Sequence, residues 1–338
     1  MSTQKNLIIL FLLCCIIACN NDKEHFSNSS KFSNKESIEP SVCFIEEDLN
    51  IVDFIELENF YVVQNDVETE NNQLFVYNKS NKKFLYSFAM RGHGHDETIA
   101  MDMIQNARGD TIEIIDQAKY KTFRYCVTPD KAILINSKII KYNNSGPLQE
   151  VYRVNDSILV FNTLDGKICT YNDSTSRVVY EYDICKKLGL ERTDRESYNF
   201  HFAYNDTKLC VGFRHINSLV IGEVTQDAQI KFNGFDNILQ KLKDIDKEVI
   251  YYAYVSMNNK NIMGQFMGYA PGFIQKVASN YKMFSPKFEL EIYSPNLVPQ
   301  KHIVLKSDVL RCKLSTNNNI VLSWNPLAPK ENILHFKY

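Results

Sequence analysis

"SILVFNTLDGKICTYND", residues 157–173, contains two short runs of β-branched and aromatic residues, separated by the turn-forming residues Asp165 and Gly166. Val, Ile, Tyr and Phe favour β-strands, whereas Asn, Asp, Gly and Ser favour the turns between them. The same organisation recurs in "QLFVYNKSNKKFLYSF" (73–88), "TIEIIDQAKYKTFRYCV" (111–127) and "FELEIYSPNLVPQKHIVL" (288–305). The chain also contains 19 Tyr and 21 Phe, which suits a β-rich interior. The sequence therefore predicts an all-β domain.

These runs recur as a unit of strand, turn, strand, polar turn and further strand. The predicted units begin near Phe60, Ala100, Val151, Phe200, Tyr252 and Leu310. Their spacing of about 40 to about 60 residues is typical of propeller blades and exceeds that of leucine-rich repeats. A single blade buries neither face, and a ring of blades buries both. We therefore expect a six-bladed β-propeller.

Ring closure requires that the two ends of the chain share one blade. The last run, "NILHFKY" (332–338), supplies a third strand at the carboxyl end. The early run "NIVDFIEL" (50–57) precedes the first unit, and we expect it to be the missing outer strand. The N- and C-terminal strands would then close the ring in one blade.

Three stretches interrupt the β pattern and are predicted as insertions on one rim. "FDNILQKLKDID" (235–246) has apolar residues at helical spacing. "CKKLGLERTDRESY" (185–198) is charged and is expected to contain a helical turn, and 268–287 lies inside the fifth unit. The propeller is thus expected to carry short helical insertions, which would enlarge one end of the channel.

The amino terminus is a predicted export signal. Residues 1–18 contain one early lysine followed by an apolar run too short to span a bilayer as a helix. The run ends in Ala18-Cys19, which resembles the lipobox of bacterial lipoproteins. That resemblance implies cleavage before Cys19 and acylation of its thiol, and acyl chains contribute about 0.8 kcal/mol per buried methylene. Polar residues 19–40 are predicted as a flexible tether, and 41–338 as the propeller domain.

Composition excludes several classes of protein. The formal net charge is −2 with no basic block, so no nucleic-acid-binding surface is indicated. Six cysteines besides Cys19 belong to the mature chain and form no CxxC pair, which argues against zinc knuckles and thioredoxin chemistry. We expect them to be small buried apolar side chains, and the sequence assigns no disulfide pairing among them. The six are Cys43, Cys126, Cys169, Cys185, Cys210 and Cys312.

One polar corner, "RGHGHDE" (91–97), lies between the first and second units. With the lipobox, the tether and the six irregular units, it resembles the TolB-like six-bladed β-propeller lipoproteins of Bacteroidetes. Those proteins carry a Gly-Arg-Gly-Pro-Gly-Glu type turn after the first blade. Residues of this chain that match or replace positions of that motif are Arg91, Gly92, His93, Gly94, His95 and Glu97. The resemblance implies the fold and an envelope location, and little about activity.

The corner has two alternative interpretations. Gly92 and Gly94 allow the backbone to turn, which makes the stretch a structural corner on the rim with Arg91 and Glu97 across it. A zinc site at His93 and His95 would need further converging ligands, and no spacing brings His201, His215 or His302 to them. The structural interpretation is favoured, and the identity of any metal is left open.

Other candidate sites are sparse. Trp324 is either a sugar-stacking platform at the channel mouth or a core residue, and the core role is favoured. Asn155, Asn205 and Asn258 follow the first runs of their units and are either turn formers or ligands of one calcium ion in the channel. Turn forming is favoured there as well. Asp110, Asp116, Asp165 and Asp206 are expected to cap backbone donors beside turns. No cofactor is expected, apart from that alternative calcium.

The leading hypothesis is a lipid-anchored, non-catalytic binding scaffold of the cell envelope. It would be an outer-membrane lipoprotein, on the periplasmic or the outer face, attached through lipid on Cys19. Its partner would be an envelope protein or a glycan, since propellers bind through loops at one end of the channel. Two alternatives remain: a calcium-dependent enzyme of lactonase or glycan-lyase type, and a structural accessory subunit of an envelope transport complex.

Overall fold

The structure is a computed structural model that carries all side chains. It describes residues 28–39, 41–44, 51–65, 71–142, 147–189, 200–234, 249–269, 289–306, 311–316, 320–324 and 333–338. These residues are almost entirely β-structure, with one 3₁₀ turn at Ser29–Lys31 and one short helix, α1, at Ile184–Lys187. Within them no helix has the length and apolarity needed to cross a membrane.

The strands follow one another as the spacing of turn residues predicts. In chain order they are β1 (Asn34–Ile38), β2 (Ser41–Phe44), β3 (Ile51–Glu56), β4 (Phe60–Asn65), β5 (Asn72–Asn78), β6 (Phe84–Met90), β7 (Met101–Arg108), β8 (Thr111–Asp116), β9 (Lys121–Val127), β10 (Ala132–Ile139), β11 (Leu148–Arg153), β12 (Ile158–Thr163), β13 (Lys167–Asn172), β14 (Arg177–Asp183), β15 (Phe200–Asn205), β16 (Lys208–Phe213), β17 (Leu219–Val224), β18 (Ile230–Asn233), β19 (Ile250–Met257), β20 (Ile262–Tyr269), β21 (Glu289–Tyr293), β22 (Pro299–Leu305), β23 (Arg311–Leu314), β24 (Ile320–Trp324) and β25 (Ile333–Lys337).

Hydrogen bonding sorts these strands into antiparallel meanders of four strands. Separate four-stranded sheets are β3–β6, β15–β18 and β2-β25-β24-β23, and β19–β22 gain β1 as a fifth strand. One eight-stranded sheet consists of the meanders β7–β10 and β11–β14, joined only by a parallel pairing of Tyr152 with Gln105. The first strand of each meander lies toward a common channel, and the fourth lies at the outer edge. This is the architecture of a β-propeller.

Apolar side chains fill the space between neighbouring meanders. One cluster joins β3–β6 to β7–β9 through buried residues such as Val62, Val76, Ile112 and Phe123. Another joins the last sheet to the first, where Trp324 packs edge-to-face on Phe54 at 4.9 Å between ring centroids. Each meander therefore buries its faces against its neighbours, which is the reason that a ring of such units is stable.

The predicted closure by both chain ends is present, but its N-terminal strand is a different one. β25 pairs with β2, residues 41–44, whereas the run 50–57 provides β3 and pairs with β4. The first meander accordingly begins at Ile51, and not near Phe60. Burial explains the correction, because β3 buries Ile51, Phe54 and Ile55 as a first strand must. In β2, Val42 is 45% exposed, which suits an outer edge.

Part of the predicted tether is ordered against the sheets. β1 pairs in parallel with β22, and Phe32 is only 3% exposed against the rings of Tyr293 and His302. Asn28 also exchanges two side-chain hydrogen bonds with Asn217. The expectation of a flexible tether to residue 40 is thus wrong for 28–38, because this segment has an aromatic side chain to bury. Residues 1–27 lie outside the described residues.

The predicted insertions are described only at their edges. Insertion 185–198 begins in the short helix α1, whose N-cap Asp183 accepts a hydrogen bond from Lys186 N at 2.7 Å. The predicted helix at 235–246 lies outside the described residues, as does 270–287 of the third insertion. No disulfide joins the six cysteines of the described residues, and Cys169, Cys185, Cys210 and Cys312 are buried as expected.

Buried tyrosines make the fold sensitive to alkali. Burial raises the pKa of Tyr125 to about 12 and the pKa values of Tyr152 and Tyr252 well above 10. Since the unfolded chain ionises first, their contribution to stability is complete below pH 10 and is lost as the pH rises beyond it. We expect ultraviolet titration to show a late group of tyrosines that ionises together with unfolding. In concentrated urea all should ionise near pH 10, and a late group persisting there would contradict this assignment.

Candidate functional site

The first strands form a closed series of contacts around the channel. Gln105 of β7 donates to Asp53 of β3, and Glu150 of β11 bonds His201 of β15. Tyr152 of β11 pairs with Gln105 of β7. On the other side, Asn205 at the end of β15 bonds Asn259 after β19, and Leu314 N of β23 donates to Ser256 Oγ of β19. The Lys313–Asp53 ion pair joins β23 back to β3. All these strands run in the same direction, so the channel has one end at their N-termini and the other at their C-termini.

A cavity of about 280 Å³ opens at the C-terminal ends of the first strands. Residues from β3, β7, β11, β15, β19 and β23, or from the turns that follow them, line it. Its walls include Tyr152, Tyr204 and Tyr254, and its mouth carries Arg108 and Asp206. Clefts of this kind, with aromatic walls and a few polar groups, are where proteins bind small ligands. We call this cavity the channel pocket.

The floor of the channel pocket is a polar triad of Asp53, Gln105 and Lys313. Lys313 Nζ donates to Asp53 Oδ1 at 2.5 Å, to Gln105 Oε1 at 2.8 Å and to Phe54 O at 3.0 Å. Gln105 Nε2 in turn donates to Asp53 Oδ2 at 3.0 Å. All three ammonium protons are therefore used within the protein. The triad closes the ring, and its own Lys313 ammonium is not free to bind a ligand.

Electrostatics agree with a structural role for this triad. Burial lowers the pKa of the Lys313 ammonium below 10.5, and the adjacent Asp53 carboxylate partly offsets that effect. Both side chains are largely buried, at 12% and 15% exposed. A charge in such a position is stable only while its partner is present.

The opposite end of the channel contains a histidine–carboxylate pair. His201 Nδ1 lies 2.6 Å from Glu150 Oε1, and Phe202 N donates to Glu150 Oε2 at 2.8 Å. Glu150 has φ of +44°, in the left-handed region that non-glycine residues seldom occupy. The pair fixes the orientation of the His201 ring, which also contacts the ring of Tyr254 at 6.1 Å. Strained polar residues of this kind cluster at functional sites.

The corner 91–97 connects outer strand β6 to first strand β7, as the sequence predicts. Its carbonyls are held by two lysines of the next meander. Lys119 Nζ donates to Gly92 O at 3.3 Å, to Gly94 O at 2.7 Å and to Glu97 O at 2.7 Å. Lys121 Nζ donates to His95 O at 2.7 Å. The corner is thus tied to the second meander by its backbone.

The two glycines of the corner make room for the Glu97 carboxylate. Gly94 N donates to Glu97 Oε2 at 2.7 Å. A Cβ added to Gly92 would lie 2.2 Å from that oxygen, and one added to Gly94 would lie 2.8 Å from Glu97 Cδ. Only glycine allows this close approach. The spacing of glycines and acid is therefore accounted for by the turn itself.

The histidines that the structure describes do not converge. His93 and His95 are exposed, and His95 Nδ1 bonds the neighbouring Asp96 at 2.7 Å. His201, His215 and His302 have separate partners, which are Glu150, Val249 O and Glu289. Within the described residues, no group of three or more His, Cys, Asp or Glu side chains is arranged to hold a metal ion.

Mutations can separate the two interpretations of the corner. Because both imidazoles face solvent, we expect His93→Ala/His95→Ala to change the free energy of unfolding by less than about 0.5 kcal/mol. Lys119→Met removes three hydrogen bonds to backbone carbonyls, and we expect a loss of about 1–3 kcal/mol. Urea unfolding of both variants measures this difference. A double histidine variant as unstable as Lys119→Met would contradict the structural role of the backbone.

Trp324 is not at the channel mouth. Its side chain is fully buried between the last and first meanders, so the sugar-stacking alternative is wrong and the favoured core role holds. β24 is an interior strand of its sheet, between β25 and β23, and Trp324 packs against the neighbouring meander rather than into the channel. The aromatic residues that line the channel pocket belong to the first strands and are Phe54, Tyr152, Tyr204 and Tyr254.

The asparagines and aspartates of the predicted turns mostly satisfy local backbone donors. Asn155 Oδ1 accepts from Ser157 N and Ile158 N, and Asn258 Oδ1 accepts from Lys260 N and Asn261 N. Asp116 is fully buried and caps four backbone amides, and Asp110 caps Asn59 N. Asp165 accepts from Thr163 Oγ1. Asn205 and Asp206 differ, since they lie at the mouth of the channel pocket.

No sequence motif points to Asp53, Gln105, Glu150, His201 or Lys313. One signal was available, because each of them interrupts the first apolar run of its unit, as in "NIVDFIEL" and "FHFAYN". In an ordinary buried strand a charged residue is unfavourable. A polar residue in the first strand of successive units is therefore a marker of a shared channel.

Comparisons with known proteins give likenesses of fold at low sequence identity. No family model matches the chain, and neither does any curated protein. A protein of Bacteroides fragilis NCTC 9343, provisionally described as exported, is 12% identical over 90% of this chain and 98% of that chain, with a TM-score of 0.52. The WD40 repeats of RRP9 are 8% identical over 89% of this chain and 99% of that chain, with a TM-score of 0.49. At such identities the likeness concerns the fold alone.

Proposed function

We propose that the protein is a binding scaffold of the cell envelope, built as a six-bladed β-propeller and without catalytic activity. Its partner is an envelope protein or a glycan. The channel pocket is the observation that supports this proposal, because residues from every first strand meet there around a cavity of ligand size. The polar triad beneath the pocket is fully hydrogen-bonded within the chain, so it offers no free nucleophile or base.

Six blades are the count that the contacts between first strands favour. Going round the channel from β3, each first strand contacts the next, and β23 returns to β3 through Lys313. The eight-stranded sheet then counts as two blades joined at one edge of their first strands. Bacterial lipoproteins of the TolB-like class, which the corner 91–97 resembles, have this blade number.

Lipid anchoring belongs to the same proposal and rests on the lipobox at Ala18-Cys19. Two or three acyl chains hold a protein firmly at a membrane. The Cys19→Ser variant should therefore move from the membrane fraction to the soluble fraction of an export-competent host. It should also lack the mass of the acyl groups. An unchanged membrane fraction would contradict the anchor.

The scaffold function is tested by capture from solubilised envelopes. The full-length chain, immobilised in detergent, is expected to retain a partner protein or a glycan at physiological salt. The matched control is the triple variant Arg108→Gln/Asn205→Ala/Asp206→Asn, which changes the pocket mouth only. Equal retention by the wild type and the triple variant would show that the partner binds to a surface outside the pocket. Recovery of one stable transporter assembly would instead favour the accessory-subunit alternative. If nothing is retained, the scaffold proposal fails.

A further inference from the structure

The channel pocket has a charge balance that restricts its ligand. Its charged lining residues are Glu56, Arg108, Asp206 and Lys313. Glu56 is neutralised by Lys79 at 2.8 Å, and its other oxygen accepts from Ser315 Oγ and Thr316 N. Lys313 is neutralised by Asp53. Only Arg108 and Asp206 carry charges that no partner within the described residues offsets, and these two charges are opposite. The mouth of the pocket therefore has no net charge that would favour an anionic or a cationic ligand.

The hydrogen-bonding groups at the mouth are planar and only partly used. Arg108 donates one bond, to Val154 O at 2.9 Å, which leaves most of its guanidinium protons available. The Asp206 carboxylate has no hydrogen bond within the described residues. Asn205 Nδ2 donates to Asn259 Oδ1 at 2.5 Å, so Asn205 Oδ1 and Asn259 Nδ2 remain open. Together these groups offer both donors and acceptors within one opening.

Asp206 and Arg108 lie near each other without forming an ion pair. Burial and the Asp206 charge raise the pKa of the Tyr204 hydroxyl to about 12, and the Arg108 charge partly opposes them. Both charges therefore act on the same hydroxyl. Asp206 has φ of +55°, held by the hydrogen bond from Tyr204 to its carbonyl. The backbone thereby presents this carboxylate at the tight turn between β15 and β16.

The walls below the mouth are aromatic. Tyr254 is partly exposed within the pocket, with Tyr152 and Tyr204 beside it. Aromatic faces bind the apolar face of a flat, partly hydrophobic ring. Each hydroxyl of a sugar is both a donor and an acceptor, so vicinal hydroxyls match a guanidinium, a carboxylate and two amides. The volume of about 280 Å³ has room for a single ring of this size.

The geometry points to a binding site for one uncharged hexose unit in the channel pocket, with Arg108, Asp206, Asn205 and Asn259 on its hydroxyls and Tyr254 against its ring. This inference rests on the proposed scaffold function and names its ligand class. The sugar is a free monosaccharide or the terminal unit of a glycan. The saturated triad beneath the pocket limits how deeply the ring enters.

The test measures binding of single sugars to the full-length chain by calorimetry and ligand-observed NMR. The detergent must carry no sugar head group. Probes are glucose, galactose, mannose and N-acetylglucosamine, with glucuronate and glucosamine as charged comparators. We expect at least one neutral sugar to bind with a Kd on the order of 1 mM, and more tightly than its charged relatives. An oligosaccharide ending in the same unit then distinguishes a glycan terminus from a free sugar.

Variants locate the site. Arg108→Gln and Asp206→Asn should each weaken binding by roughly tenfold or more, because each removes a charge-assisted hydrogen bond. Asn tolerates positive φ, so Asp206→Asn preserves the turn. The matched controls Arg177→Gln and Asp227→Asn, both exposed and remote from the pocket, should bind as the wild type does.

Several outcomes would overturn the inference. They are the absence of binding by any neutral sugar at about ten times the expected Kd, tighter binding of a charged comparator, and unchanged binding in both pocket variants. If a partner is captured from the envelope but no sugar binds, the proposed scaffold function is kept and the proposed hexose site is rejected. If sugars bind but no partner is captured, the hexose site is kept and the scaffold function is rejected.

Discussion

Arg153→Met is expected to lower the free energy of unfolding by about 3–5 kcal/mol. Arg153 of β11 donates to Glu113 of β8 through Nε at 2.9 Å and through a second guanidinium nitrogen. It also donates to Asp173 at 2.8 Å. The Asp173 side chain is completely buried, and those of Arg153 and Glu113 are each 10% exposed. Without the guanidinium, two carboxylates remain buried with insufficient compensation.

The position of this network explains why the effect is large. Burial alone would lower the pKa of Arg153, but its hydrogen bonds and ion pairs with Glu113 and Asp173 raise it above the usual value for arginine. The arginine therefore stays charged and ties the meander β7–β10 to β11–β14. Lys138 of β10 adds a further bond to Asp173 at 2.8 Å. Backbone pairing between these meanders consists of Tyr152 with Gln105, so the side-chain network supplements a short junction.

Equilibrium urea unfolding provides the measurement, with Arg177→Met on an exposed outer strand as the control. The control should change the free energy by less than about 0.5 kcal/mol. Removing the stranded carboxylates in Arg153→Met/Glu113→Leu/Asp173→Asn should restore part of the loss, because the penalty comes from unpaired charge. A loss for Arg153→Met no larger than that of the control would show that the network adds no stability.

The strands could be predicted from sequence because their signal is local. Runs such as "ILVFNT" and "KICTYN" contain their own β preference and end at their own turns, so β12 and β13 lie where the pattern places them. The order of strands within a meander follows from short connections. The corner at 91–97 could be placed for the same reason, since its glycines and Glu97 interact within seven residues.

The predictions that failed concern residues whose partners are distant in the sequence. β2 and β3 are both short β-type runs, and only the rest of the ring decides which one is the outer strand beside β25. Likewise, Phe32 looks like part of a polar tether until Tyr293 and His302 provide a surface for it. The polar residues of the channel could not be predicted for the same reason. Asp53 and Lys313 are 260 residues apart in the sequence and become a pair only when the ring closes.

Lys313 is the second position at which a substitution should have a large effect on stability, because its ion pair closes the ring. Lys313→Met should lower the free energy of unfolding by about 3–5 kcal/mol, because it strands the Asp53 carboxylate in the channel. Lys301→Met is the matched control, since its partner Glu36 is 44% exposed and such surface pairs contribute about 0–1 kcal/mol. Urea unfolding of both variants gives the comparison.

The site of the damage distinguishes this prediction from general destabilisation. Lys313 joins β23 to β3, so its loss should expose the sheet β2-β25-β24-β23 to amide hydrogen exchange before the others. Uniform exchange across all sheets would contradict a role in closure.

The pH dependence provides an independent test. Since burial lowers the folded-state pKa of Lys313, the unfolded chain binds more protons just below pH 10.5, and stability from this group rises with pH there. The stability difference between wild type and Lys313→Met should therefore widen as the pH approaches 10.5. The buried tyrosines are common to both proteins and cancel in that difference. If the stability difference instead narrows as the pH approaches 10.5, the ammonium form of Lys313 is more stable in the folded chain than in the unfolded one. The triad would then stabilise the charged form of Lys313.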